Sequence, residues 1–169
     1  MHFDRILVAF DGSPAAELGL REAVRLAQQH RGRLRLIHVM DELAWTNGFE
    51  TAAAWLDDVQ PRMRRAGEAL LARGCAAAAA HGVAADSKLV APTLDRVCEE
   101  VAREALAWPA DLIVAGCESR TGMDRLLLGN EAEQIARHAP VPVLLVKDTS
   151  RHAPLAAFEI SHSAKGTAS

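Results

Sequence analysis

The chain has 169 residues, half of them hydrophobic, which supplies apolar material for one core and suits a single domain. A formal net charge of −3, without clustered Lys and Arg, lacks the electrostatic footprint of a nucleic-acid binder, so nucleic acid is not expected as a partner. The first apolar segment is too short for a signal-peptide core or a membrane span, so neither a membrane nor any location other than the cytoplasm is expected.

Cys75, Cys98 and Cys117 are odd in number and form no C-x-x-C pair, so neither a disulfide framework nor a zinc site is expected, and reduced, buried thiols are. The histidines (His2, His30, His38, His81, His138, His152 and His162) show no H-x-x-x-H spacing, and no metal site is expected from them.

In chain order, Ile6 to Phe10 is an uninterrupted apolar run, as in a strand covered on both faces, and it stops at Asp11-Gly12. Ser13-Pro14 then starts a helix, with Ser as N-cap and Pro at the first position, where its missing N–H costs nothing. Leu20, Ala23, Val24 and Ala27 form its buried stripe, and Gly32 is its expected stop. A second strand is predicted over Leu34 to Val39, followed by the acidic pair Asp41 and Glu42. Residues 43–53 read as a loop or a loose helix entry able to cover a ligand. From about Ala54 a helical pattern runs through Trp55, Val59, Met63, Ala66 and Leu70 to His81-Gly82, with Gly74 as an alternative stop costing about 1 kcal/mol inside the helix.

A short third strand is predicted over Ser87 to Ala91. Leu94, Val97, Cys98, Val101 and Ala105 give a third helix ending near Trp108-Pro109, and Asp111 to Ala115 a fourth strand. Ala132, Ile135, Ala136 and Ala139 mark a fourth helix, and Val141 to Val146 a fifth strand. Strands alternating with helices require right-handed crossovers, hence one doubly wound α/β domain over 1–148 with a five-stranded parallel sheet and helices on both faces. Residues 149–169, anchored only by Leu155, Phe158 and Ile160, read as a tail, either disordered or adding a strand to a partner.

Such sheets bind ligands beyond the carboxyl ends of their strands where the strand order reverses, which nominates Phe10-Asp11 and the stretch from Gly116 onward. Gly116 follows a buried strand, Gly129 precedes a helix, and Asn130 is suited to cap it, leaving N–H groups aimed at an anion. The same glycines serve equally to let the chain turn twice, and glycine spacing alone favours that bland explanation.

The stretch from Gly116 through Arg125-Leu-Leu-Leu-Gly-Asn-Glu-Ala-Glu-Gln-Ile-Ala-Arg-His-Ala-Pro-Val-Pro-Val-Leu-Leu-Val146 resembles the C-terminal signature of the universal stress protein family. Members that bind ATP carry Gly-x-x-Gly, nine residues, then Gly followed by Ser or Thr. The likeness extends to Ile6 to Ser13, Leu36-Ile-His-Val39 and Ala110 to Val114, covering roughly residues 3–147. It implies strand order 3-2-1-4-5, a homodimer pairing through the strand at 141–146, and a site for ATP with Mg²⁺. Carried over by position, it makes Asp11 a ribose or phosphate contact and Ala9, Phe10 and Val39 the adenine side. Gly116, Ser119, Arg120, Gly129, Asn130 and Glu131 fall on the phosphate side.

Ser119 stands where the family's second motif glycine is expected, and its side chain restricts φ while its hydroxyl offers a hydrogen bond. Asn130 replaces Ser or Thr and preserves capping. Glu118 and Glu131 place acids beside the expected phosphates, where like charges about 4 Å apart repel by about 1 kcal/mol in water and more when shielded; Arg120 and Arg125 oppose this. Ala91-Pro-Thr-Leu-Asp95 replaces the usual Gly-x-Pro at the rim. Two readings stay open, a nucleotide-binding regulatory dimer and a stress-response dimer scaffold that has lost ATP. A ligase or nucleotidyltransferase is disfavoured, since Phe10 to Pro14 lacks Ser-Gly-Gly-x-Asp-Ser and no His-x-Gly-His occurs. No catalytic residue is assigned, and at most slow ATP hydrolysis is expected.

Overall fold

The computed structural model of the chain describes residues 2–40, 55–92, 95–117 and 131–147. Its strands are β1 (Arg5–Ala9), β2 (Arg33–Val39), β3 (Ala85–Val90), β4 (Leu112–Cys117) and β5 (Val143–Lys147), all parallel and ordered β3-β2-β1-β4-β5, as the 3-2-1-4-5 expectation requires. The helices are α1 (Pro14–His30), α2 (Gln60–Ala80), α3 (Val97–Ala107) and α4 (Glu131–His138), and a π-helical turn at Trp55–Val59 leads into α2.

The continuous apolar runs are explained by burial on both faces. Ile6, Leu7 and Val8 are fully buried but point to opposite sides. Ile6 and Val8 join Leu34, Leu36, Leu112 and Val114 beneath α1 and α2. Leu7 joins Ile37 and Ile113 beneath α3 and α4.

Ser13 caps α1 as expected, its Oγ accepting from Ala16 N–H at 3.1 Å with Pro14 in the first turn. The stop is one residue early. Arg31, not Gly32, takes the left-handed conformation at φ 56°, and its N–H reaches the Ala27 carbonyl. Gly32 is required for another reason, since a Cβ there would lie 2.4 Å from the Phe3 carbonyl oxygen.

α2 continues through Gly74, which excludes the alternative stop, and its buried face is Met63, Gly67, Leu71, Gly74 and Ala78. Of the predicted line, Val59 and Met63 are buried and Trp55 and Leu70 pack partly buried against core clusters, whereas Ala66 is exposed. The small residues set the phase: a Cβ on Gly74 would come within 2.3 Å of Leu36 Cδ2 and 3.0 Å of Phe10 Cε1. The fifth strand begins at Val143, not Val141, because Pro142 has no N–H to give a ladder; its carbonyl instead accepts from Ile113 N–H at 2.9 Å.

Arg35 stands in β2 facing α3. Its guanidinium pairs with Asp86 of β3, donates to Glu104 Oε1 at 2.9 Å, and lies 4.8 Å from the centre of the Trp108 ring. Glu104 is only 11% exposed, so Arg35→Met, which keeps the stem but strands that carboxylate, is expected to cost about 2 kcal/mol, between the surface and buried ion-pair limits. Arg25→Met, which removes an exposed partner of Glu22 on α1, is expected to leave the midpoint of the same urea melts nearly unchanged.

Candidate functional site

β1 feeds α1 on one face of the sheet and β4 feeds α4 on the other, so the strand order reverses between them, and beyond the carboxyl ends at such a reversal open α/β sheets offer a crevice for ligands. Ala9 sits at this reversal, in register with Ile37 of β2 on one side and Ala115 of β4 on the other. Ala9, Val39, Val90 and Cys117 are partly buried and pack on the α3–α4 side. They give that side an apolar floor.

Phe10 lies beside them, but its ring points the other way. It is 2% exposed and packs under α2 against Gly74, so only its main chain faces the crevice end. Asp11 is exposed, and its Oδ1 accepts from Ser13 N–H at 2.9 Å, bending the chain into α1. Gly12 follows at φ 79°, a conformation that favours glycine.

Gly116 belongs to β4 and has a strict steric reason to be glycine. A Cβ there would meet the Ala15 carbonyl oxygen at 2.1 Å and Ala16 N at 2.5 Å, because the first turn of α1 lies directly on it. Opposite, Gly19 of α1 would put a Cβ 3.2 Å from Gly116 N. Glu131 is the exposed first residue of α4, with Glu133 beside it and Arg137 and His138 in the last turn, the polarity a helix dipole favours. The structure thus brings Ala9, Phe10, Asp11, Val39 and Gly116 together at the strand ends. Ser119, Arg120, Gly129 and Asn130 lie outside the described residues, as do residues 43–53 and 149–169.

His38 escaped the sequence reading. It is the one polar residue between Leu36 and Val39, its ring is half-buried on the α2 side, and its Nδ1 lies 3.0 Å from the Phe10 carbonyl oxygen. Burial holds its pKa below the usual 6.5, opposed by the hydrogen bond to Phe10 and the charge of Asp11. The unfolded chain therefore binds a proton more readily than the folded one, and stability should fall as pH drops through 6.5. The part of that slope owed to His38 should vanish in His38→Gln, measured by urea melts between about pH 5 and 8. Burial also raises the Cys75 thiol. Among the described residues no group of three or more His, Cys, Asp or Glu is placed to hold a metal ion, and no helix is long and apolar enough to cross a membrane.

The universal stress protein family matches residues 2–147. The chain belongs to the universal stress protein family. A universal stress protein of Thermus aquaticus is 32% identical over 86% of this chain and 99% of its own length. Among solved structures, a universal stress protein in complex with cAMP superposes with TM-score 0.65 at 19% identity, covering 86% of this chain and 98% of that one. A family member from Arabidopsis thaliana with AMP bound gives TM-score 0.62 at 15% identity, covering 89% and 95%. These two likenesses establish the shared fold.

Proposed function

We propose that this universal stress protein is a cytoplasmic regulatory homodimer that holds an adenine nucleotide in the crevice beyond β1 and β4. The observation that carries the reading is the convergence of Ala9, Asp11, Val39 and Gly116 at the reversal of strand order, where this fold accepts ligands. Ala9, Val39 and the Phe10 main chain take the base, and Asp11 takes the ribose or a phosphate. Gly116, Ser119, Arg120, Gly129, Asn130 and Glu131 surround the phosphates. Similar structures holding cAMP and AMP support an adenine ligand, and ATP with Mg²⁺ is its fullest form.

Calorimetric titration with AMP, then with ATP and Mg²⁺, tests this. Binding to the wild type, tightened in Ser119→Gly or Glu118→His, is expected. One observation favours a second reading. Glu131 sets a carboxylate at the start of α4, where it competes with a bound anion for the helix end. A protein that shows neither heat nor thermal protection with either nucleotide, yet stays dimeric, is a scaffold that has lost the ligand.

The dimer half of the proposal is supported by β5, an edge strand of sequence Val-Leu-Leu-Val-Lys whose Leu145 is 37% exposed. Leu145→Lys is expected to convert the dimer to a monomer in light scattering after size exclusion. A wild type that elutes as a stable monomer would remove this half of the proposal.

A further inference from the structure

We propose that His38 is a positioning residue for the crevice: its Nδ1–H donates to the Phe10 carbonyl and so fixes the direction of the Asp11 N–H at the mouth of the site. The part that concerns ligand affinity rests on the nucleotide reading above.

Three observations lead here. The β1–β2 ladder reaches Phe10 N–H, which donates to the Ile37 carbonyl at 2.9 Å, and the paired register ends at Ala9 and Ile37. The Phe10 carbonyl, next in line, is therefore taken by an imidazole instead of by the ladder. A side chain on β2 holds the chain at the point where β1 departs from the sheet.

The ring is also held in place by packing. A Cβ on Gly67 of α2 would lie 3.2 Å from His38 Cδ2 and 2.7 Å from Leu89 Cδ1, so the imidazole occupies a slot that exists because residue 67 has no side chain. A donor seated this way has little rotamer freedom to lose.

The third observation is peptide geometry. No described peptide bond is cis, and across a trans peptide the C=O of one residue and the N–H of the next point in opposite directions. With the Phe10 carbonyl turned toward His38, on β2 and the α2 side, the Asp11 N–H turns away from β2 and toward the side where β4 and the crevice lie. Asp11 Oδ1 is meanwhile tied to Ser13 N–H, so both ends of that residue are set before any ligand arrives. Binding then orders less of the protein.

The wild type gives a direct test. The ¹⁵N shifts of the His38 ring at neutral pH should identify the Nδ1–H tautomer, whereas an Nε2–H ring, which cannot donate from Nδ1, would overturn the proposal. Two variants extend it. In His38→Leu, which keeps bulk but removes the donor, the Asp11 amide resonance should move and AMP affinity should fall by about three- to tenfold. His38→Asn, whose amide N–H₂ lies near the position of Nδ1, should restore the resonance and most of the affinity. An unmoved Asp11 amide in His38→Leu, or equal losses in the two variants, would reduce His38 to packing. A wild type that binds no AMP would defeat the nucleotide reading alone, because the ring tautomer and the Asp11 amide are read without ligand.

Discussion

Gly116→Ala is expected to lower stability by about 3 kcal/mol or more, or to prevent folding, although it adds one methyl group. Each of the nearest atoms such a methyl would meet belongs to the main chain of Ala15 or Ala16, so no side chain can swing aside. Relief requires the first turn of α1 to rise off β4, and α1 is seated through Ala16, Leu20, Ala23 and Val24 in the core. Gly82→Ala is the control. Gly82 has φ 73° but nothing within 4 Å of a built Cβ, so it pays only the conformational term of about 1 kcal/mol. Urea denaturation followed by circular dichroism separates the two, and equal losses would mean that the contact between α1 and β4 is looser than described.

Phe10→Ala should cost about 3–5 kcal/mol, the range for removing a buried aromatic ring. The ring is 2% exposed and packs in the core beside Leu36 and against Gly74 of α2. Phe10→Leu keeps most of that volume and should cost about half as much. Because the ring points away from the crevice, AMP affinity of the folded variant should change by less than about threefold, through backbone shift alone. A Phe10→Leu protein of near-native stability that lost AMP binding altogether would place the ring in the ligand site instead of the core.

Both residues show how the chain's features divide between what a one-dimensional pattern carries and what it does not. Ile6 to Val8 and Leu112 to Val114 are apolar without alternation, and only strands covered on both sides need that, so the parallel sheet is readable from them. Ser13-Pro14 was equally plain, because capping is local chemistry. The face of α2 is only partly legible, since hydrophobic periodicity finds Val59, Met63 and Leu70 but gives glycine no weight, while Gly67 and Gly74 are buried against side chains of the sheet. Arg31 was passed over as the end of α1 because a left-handed residue with a side chain is rare, and Gly32 next to it offered the usual alternative. Phe10, the expected last residue of the first strand, lies one past β1, and sequence adjacency to Ala9 does not reveal that the two side chains leave by opposite faces there. His38 joins Phe10 across 28 positions, a pairing fixed by strand register, which no short motif encodes.

The two margins of the sheet differ in a way that bears on growth. β3 shows Asp86, Ser87 and Lys88 to the outside, whereas β5 shows Leu145 between partly covered neighbours. In the dimer proposed above, a twofold axis beside β5 would consume the adhesive margin of both copies at once and turn the polar margins outward. Continued addition would need β5 of one copy to settle on β3 of another, stripping water from Lys88 and Asp86. Such an assembly would close on itself after a single contact, so a high local concentration of the chain should yield more pairs and no filaments if that dimer forms.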